Sequence, residues 1–202
     1  MNYDITKQNY ETANDWHSEK SMGYMWSDEI QEFIKLLPSP DSKVLDVGCG
    51  GSGRDVKQFT KKGVHVEGLD YSHAAIESVK KLFPAVSFYE ADMTKTGLSS
   101  EAYGGIWSCA SILNLPKADV PKAFAEFHRL LKKDGALFVS VKTGEGERMV
   151  PDKAGERFFS FYTESELRKL AENAEFQVLG VDIRESNTSE GLRWLCLYAK
   201  KI

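Results

Sequence analysis

An α/β domain built on a mostly parallel sheet is the fold this sequence predicts, and three observations carry the prediction. From about residue 42 onward short β-branched runs alternate with longer helical patterns, the rhythm of successive strand–helix–strand units. A glycine cluster at residues 48–53 joins the first apolar run to a helix. The last two apolar runs have only residues 185–191 between them, a link that joins antiparallel neighbours. Strands are expected at residues 43–47, 64–69, 86–89, 105–110 and 137–141, each after a Gly, Pro or polar break. The closing hairpin is expected at 176–184 and 192–199. This makes seven strands, one of them antiparallel to the rest.

The helices between them carry recognisable ends. Ser72 can cap a helix with Ile76, Val79 and Phe83 on its inner face, and Asp119 with Pro121 opens one showing Val120, Phe124, Phe127 and Leu131 until Gly135 stops it. Thr163 and Glu166 have capping-box spacing, with Tyr162 placed to staple onto Leu167. Residues 1–41 hold two weaker helical patterns ending at Pro38-Ser39-Pro40 and read as a helical lid beside a core of residues 42–202, one domain in all.

Composition narrows the function. With 202 residues, 42% hydrophobic and 28% charged, the chain can bury roughly 70% of its unfolded surface. Its 26 basic and 30 acidic residues give a net charge of −4, which disfavours nucleic acid as the main partner. Cys49, Cys109 and Cys196 are odd in number, far apart and without ligand spacing, so neither a disulfide framework nor a metal site is expected and a reducing cytoplasmic setting fits. No signal-peptide core or membrane-length apolar run is present in the sequence. Nothing in it speaks to oligomeric state.

The richest stretch runs from Val44 through Asp55, where an apolar strand enters the glycine cluster. Gly48, Gly50 and Gly53 satisfy G-x-G-x-x-G and Asp70 lies 22 residues past Gly48, so a dinucleotide site is one reading. Charge argues for another. Asp46 and Asp55 flank the glycines, and acidic flanks suit a ligand with cationic groups, such as the ammonium and sulfonium of S-adenosylmethionine, better than a pyrophosphate. Asp70 is placed to accept from ribose hydroxyls, and Asp92 to accept from an adenine amino group. Three carboxylates at the ends of three consecutive strands converge on the crevice where such sheets bind ligands.

The run 46–53, the Leu69-Asp70-Tyr71-Ser72 step, Ala91-Asp92-Met93 and residues 130–137 together resemble the motifs of class I S-adenosylmethionine-dependent methyltransferases. The resemblance spans residues 42–142 and implies a Rossmann-like seven-stranded sheet of order 3-2-1-4-5-7-6 with helices on both faces. More narrowly, residues 52–55, 109–113 and 142–147 resemble a group of small bacterial methyltransferases without a single established substrate. The resemblance assigns Gly48, Cys49 and Gly50 to the methionine part of the cofactor, Asp70 with the adjoining Tyr71 and Ser72 to the ribose side, and Asp92 and Met93 to the adenine. Tyr71 and Met93 are candidates to sandwich that ring, and residues 108–111, Ser108 first, would line the floor beneath the methyl.

Methyl transfer from a sulfonium is an in-line displacement whose donor is already activated, so alignment and water exclusion are the protein's main work. A base is needed only when the acceptor arrives protonated. No triad or metal motif is seen. Asn114 stands after the fourth strand where the related group often has histidine; it can orient an acceptor or form an Asx turn before Pro116. Lys142, Arg148, Glu145 and Glu147 lie in a glycine-rich loop over the expected pocket, and Tyr162 ends an aromatic run. Asn114, Tyr162 and Lys142 are the catalytic candidates. In the lid, Tyr3, Trp16, Tyr24 and Trp26 supply covering apolar area, Tyr10 is the candidate contact to the methionine end, and His17 is the one histidine within plausible reach. The acceptor is expected to be a small molecule and the product S-adenosylhomocysteine. A non-catalytic binder of the same cofactor, a tRNA or protein methyltransferase, and a nicotinamide-dependent oxidoreductase remain as alternatives.

Overall fold

The computed structural model describes Thr6 and residues 26–152, 155–186 and 191–202. Seven strands form one sheet: β1 (Val44–Val47), β2 (Val66–Asp70), β3 (Phe88–Glu90), β4 (Tyr103–Cys109), β5 (Leu131–Lys142), β8 (Phe176–Glu185) and β9 (Arg193–Lys201). Their order, β3-β2-β1-β4-β5-β9-β8, is the expected one with the hairpin strands renumbered. β1 to β5 are parallel, and β9 alone runs against its neighbours β5 and β8. β4 is buried along its whole length, as a central strand covered on both faces must be.

The helices are α1 (Ser27–Leu36), α2 (Arg54–Lys61), α3 (His73–Leu82), α4 (Val120–Leu130) and α5 (Glu164–Asn173). The chain steps from β1 outward to β3 in one direction and through β4 and β5 in the other. Right-handed crossovers therefore put α2 and α3 on one face and α4 on the opposite one. Phe33 of α1 and Phe59 of α2 pack edge-on to Trp107 of β4, with centroids 5.4 and 5.5 Å away, which fixes that face of the core. On its other side Trp107 stacks on Phe138 of β5 at 3.9 Å.

Two of the capping signals are realised by side-chain bonds, whereas Asp119 stands at the N-cap of α4 without one and pairs with Lys122 instead. Ser72 Oγ accepts from the Ala75 N–H at 3.1 Å, and Thr163 and Glu166 bond reciprocally as a capping box. Three expectations change. α4 ends at Leu130 rather than at Gly135, because Leu131 is fully buried and extended and is drawn into β5 opposite Tyr103; β5 then bulges around Asp134, which has φ +60°. β4 accordingly starts two residues early. The stretch around residues 142–162, read as a loop and an aromatic run, contains a second sheet of β6 (Glu147–Asp152) paired with β7 (Gly155–Ser160). Cations lie on rings here: Lys142 Nζ is 3.7 Å from the Phe159 centroid and the Arg148 guanidinium 3.5 Å from that of Phe161. The Phe158 N–H of β7 donates to the buried Thr6 Oγ1 at 2.7 Å.

On α4, Glu126 is gripped by Arg129 and by the Thr96 N–H and hydroxyl at 2.6–2.8 Å, and these bonds hold its carboxyl down at about 2 from an ordinary 4.5. A depressed carboxyl stabilises the fold in full above its unfolded pKa and loses that stabilisation as pH falls from 4.5 towards 2. Urea melts at pH 7 and pH 3 should show a loss that Glu126→Gln abolishes, on the order of 1–2 kcal/mol.

Candidate active site

Strand order reverses between β1 and β4, so the crevice of the sheet opens where the segments after these two strands part. The segment after β1 is the glycine loop. Gly48, Gly50 and Gly53 all have left-handed φ (+79°, +63° and +55°), which brings loop backbone over the strand ends. At Gly48 the close neighbour is protein: a Cβ there would lie 2.4 Å from Ser111 Cβ, so this glycine lets the post-β4 turn press on the loop. At Gly53 a Cβ would meet Val79 and Phe83 at 2.7 Å, seating the start of α2 against α3.

Asp70 is the last residue of β2 and is buried. Its Oδ2 accepts from the Gly50 N–H at 3.0 Å and its Oδ1 from the Ser72 N–H at 3.0 Å, so one carboxylate ties the loop to the start of α3. Cys49 is buried beneath, its thiol pushed well up by burial and by Asp70 and Asp46.

Asp46 and Asp55, the two acidic flanks, do not have equal roles. Asp55 points inward, with Arg54 Nε and Nη2 donating to its two oxygens at 2.7 and 2.8 Å and the Trp107 indole N–H at 2.9 Å. These partners hold its carboxyl low despite complete burial. The expectation that Asp55 faces a cationic ligand is corrected: its charge is spent on Arg54. Asp46, 2% exposed on β1, is raised well above the usual carboxylate range by burial, then by Asp55, and its Oδ2 has no hydrogen-bond partner among the described residues. The two carboxyls are thus pushed in opposite directions, Asp55 down by Arg54 and Asp46 up by burial.

After β4 the chain turns at Ala110, which has φ +55°, a strained conformation for a residue with a Cβ. Its N–H is held by Ser140 Oγ at 3.0 Å, and Ser111 returns to bond Ser108 Oγ at 2.6 Å. A single 3₁₀ turn, Ile112–Asn114, follows, with Asn114 partly buried at its end. Ala110 and Ser111 belong to the expected floor at 108–111, but Ser140 carries no signal in sequence, since its role depends on a contact across strands.

The remaining expected residues divide. Met93 is in the core and Tyr71 is half-buried beside Asp70. Asp92 stands two residues past β3, exposed, with Oδ1 accepting from the Thr94 N–H and hydroxyl at 2.8 and 2.7 Å. Tyr162 and Lys142 are brought together, since the Tyr162 N–H donates to the Lys142 carbonyl at 3.1 Å. The Tyr162 ring is only 1% exposed, and burial raises its phenol above the ordinary range. Tyr3, Tyr10, Trp16, His17 and Tyr24 lie outside the described residues. Trp26, expected in the lid, is buried against Trp194 and Phe138.

A glycine loop after β1, an acid ending β2 and a seven-stranded sheet with one antiparallel strand give the chain a Rossmann-like methyltransferase fold, and residues 44–135 match the model of the family described as "Methyltransferase domain". The chain is 36% identical over 115 residues to phosphoethanolamine N-methyltransferase 1 of Arabidopsis thaliana, covering 54% of this chain and 23% of that protein. A ubiquinone/menaquinone biosynthesis C-methyltransferase of Campylobacter jejuni is 30% identical over 115 residues, 54% of this chain and 48% of that one. The chain thus spans under half the length of these curated relatives. In fold it is similar to the 1,6-didemethyltoxoflavin-N1-methyltransferase of Burkholderia thailandensis, solved with its acceptor and S-adenosylhomocysteine, at a TM-score of 0.73 and 23% identity over 98% of this chain and 85% of that one.

Proposed function

We propose that the protein transfers a methyl group from S-adenosylmethionine to a small-molecule acceptor and releases S-adenosylhomocysteine. The observation that carries this reading is Asp70, fixed at the end of β2 against the Gly50 N–H, where it can take ribose hydroxyls while the loop backbone approaches the rest of the molecule. The buried Asp46 Oδ2 beneath the loop, without a partner among the described residues, leaves a polar atom there for a ligand's hydrogen-bond donor. The small-molecule methyltransferases among its relatives and the net charge of −4 favour a small acceptor over nucleic acid. None of the described helices is long and apolar enough to cross a membrane, and the reducing setting inferred from three buried free thiols supports a cytoplasmic location. In the same proposal the chain is one domain, a lid at 1–41 beside a core at 42–202.

When bound, the cofactor supplies a methyl group already activated on a sulfonium. The chain's own residues then align and enclose. Asp70 orients the ribose, Tyr71 and Met93 flank the base, and Asp92 accepts from its amino group. The Ser108–Ser111 bond and the strained Ala110 set the floor between cofactor and acceptor. Asn114 has no proton to gain at neutral pH, so its role is to orient an acceptor by hydrogen bonding. The buried Tyr162 phenol stays protonated and can donate or accept a hydrogen bond. Lys142, its ammonium on the Phe159 ring, contributes charge at the pocket wall.

Calorimetric titration tests the reading. Wild-type protein should bind S-adenosylmethionine and not NAD, and Asp70→Ala should weaken binding about 10- to 100-fold, the loss of 1–3 kcal/mol of buried hydrogen bonding. Tight NAD binding without a response to the sulfonium would overturn it.

A further inference from the structure

Arg54 does more in this geometry than neutralise Asp55. Its Nε and Nη2 are committed to the two Asp55 oxygens, and Nη2 also reaches Cys109 Sγ at 3.4 Å. Nη1 makes no hydrogen bond among the described residues, and the side chain is 28% exposed. The guanidinium is therefore held between Asp55 and Cys109 at the end of β4, with its Nη1 edge left over. Asp55 is itself fixed by Trp107, so this edge cannot swing away.

Its place matters. With the ribose at Asp70 on β2 and the base beyond it towards β3, the rest of an adenosyl ligand must extend the other way, over β1 and towards β4. Arg54 follows the glycine loop and Cys109 ends β4, so the spare edge stands at that end of the crevice. The amino acid carried there is a zwitterion, and its carboxylate needs a cation. Among the described residues the other cations on this side are engaged: Lys142 and Arg148 lie on rings, and Lys117 pairs with Glu166 at 2.7 Å. Asp46, which would repel a carboxylate if charged, is raised towards its neutral form by its surroundings.

We propose that Arg54, through Nη1, binds the α-carboxylate of the methyl donor, making the Arg54–Asp55 pair a specificity element for the amino-acid end of that ligand. The proposal rests on the cofactor reading above. The test is a ligand–residue cycle by calorimetry, using S-adenosylmethionine and its decarboxylated analogue. Wild type should prefer the carboxylate-bearing compound about 10- to 100-fold, the range of one charge-assisted hydrogen bond. Arg54→Gln should bring the two compounds within about threefold of each other, chiefly by weakening the parent compound, and Arg54→Lys should restore part of the difference. Full preference retained in Arg54→Gln overturns the proposal. So does an equal loss for both ligands, which would mean Arg54 only supports the fold. Should Arg54→Gln melt before titration, the comparison is carried by Arg54→Lys, where an undiminished preference counts against the proposal and a reduced one for it. Failure of wild type to bind either compound is a different outcome, and it overturns the cofactor reading together with this one.

Discussion

Alanine at Gly48 is expected to cost the protein about 2–5 kcal/mol and to abolish measurable cofactor binding. Two effects combine. The position has φ +79°, where a residue with a Cβ is strained by about 1–2 kcal/mol. The new methyl would also lie 2.4 Å from Ser111 Cβ, a contact that cannot be relieved by rotating a side chain, because Cβ moves only with the backbone. Overpacking of this kind costs a further 1–3 kcal/mol. Ser111 is held by its bond to Ser108 and the Gly48 N–H by the Leu69 carbonyl at 2.7 Å, so the strain must spread into either the loop or the post-β4 turn. Urea melts give the stability term and calorimetry the binding term. Gly63→Ala is the control: its φ is +73° but nothing lies within 4 Å of the added Cβ, so it should lose only about 1 kcal/mol. Equal behaviour of the two variants would refute the steric part of the argument.

Trp107→Ala is expected to be the most destabilising single change, at about 3–5 kcal/mol for the lost ring alone. Trp107 is fully buried, stacked on Phe138 and wedged between Phe33 and Phe59, so the cavity would open where α1, α2 and the sheet meet. Its indole N–H also satisfies Asp55, and the truncation removes one bond from a buried carboxylate. A loss of this size is a large share of the 5–15 kcal/mol that typically separates folded from unfolded domains. Trp107→Phe keeps most of the ring and should lose clearly less. Denaturant midpoints for the two variants decide between packing and hydrogen bonding as the main contribution, since near-identical losses would put the weight on the indole N–H.

What the sequence reveals here follows from range. Signals that act within a few residues are legible: the Ser72 cap, the Thr163–Glu166 capping box and the glycine cluster all stand where periodicity and spacing put them. The strand order follows from the resemblance and from handedness. Asp55 is misjudged because one of its partners, Trp107, is 52 residues away, and only folding brings that indole N–H to the carboxylate. The β6–β7 pair escapes because its strands are rich in charge and lack alternation; cations resting on Phe159 and Phe161 replace the usual apolar face. Gly135 misleads as a helix stop because burial of Leu131 outweighs the turn propensity that follows it. Ala110 lies within the expected floor at 108–111, but its left-handed turn could not be foreseen, since nothing local marks an alanine for that backbone.

The position of β9 has a consequence for biosynthesis. A ribosome makes β8 before β9, yet in the sheet β9 lies between β8 and β5. Until residues 193–201 have left the exit tunnel, β8 has no neighbour to pair with and the flank of β5 stands open to water. The nascent domain can assemble its nucleotide half early, but the other half must close in one late event, and a chaperone that shields bare strand edges would find its target in that interval.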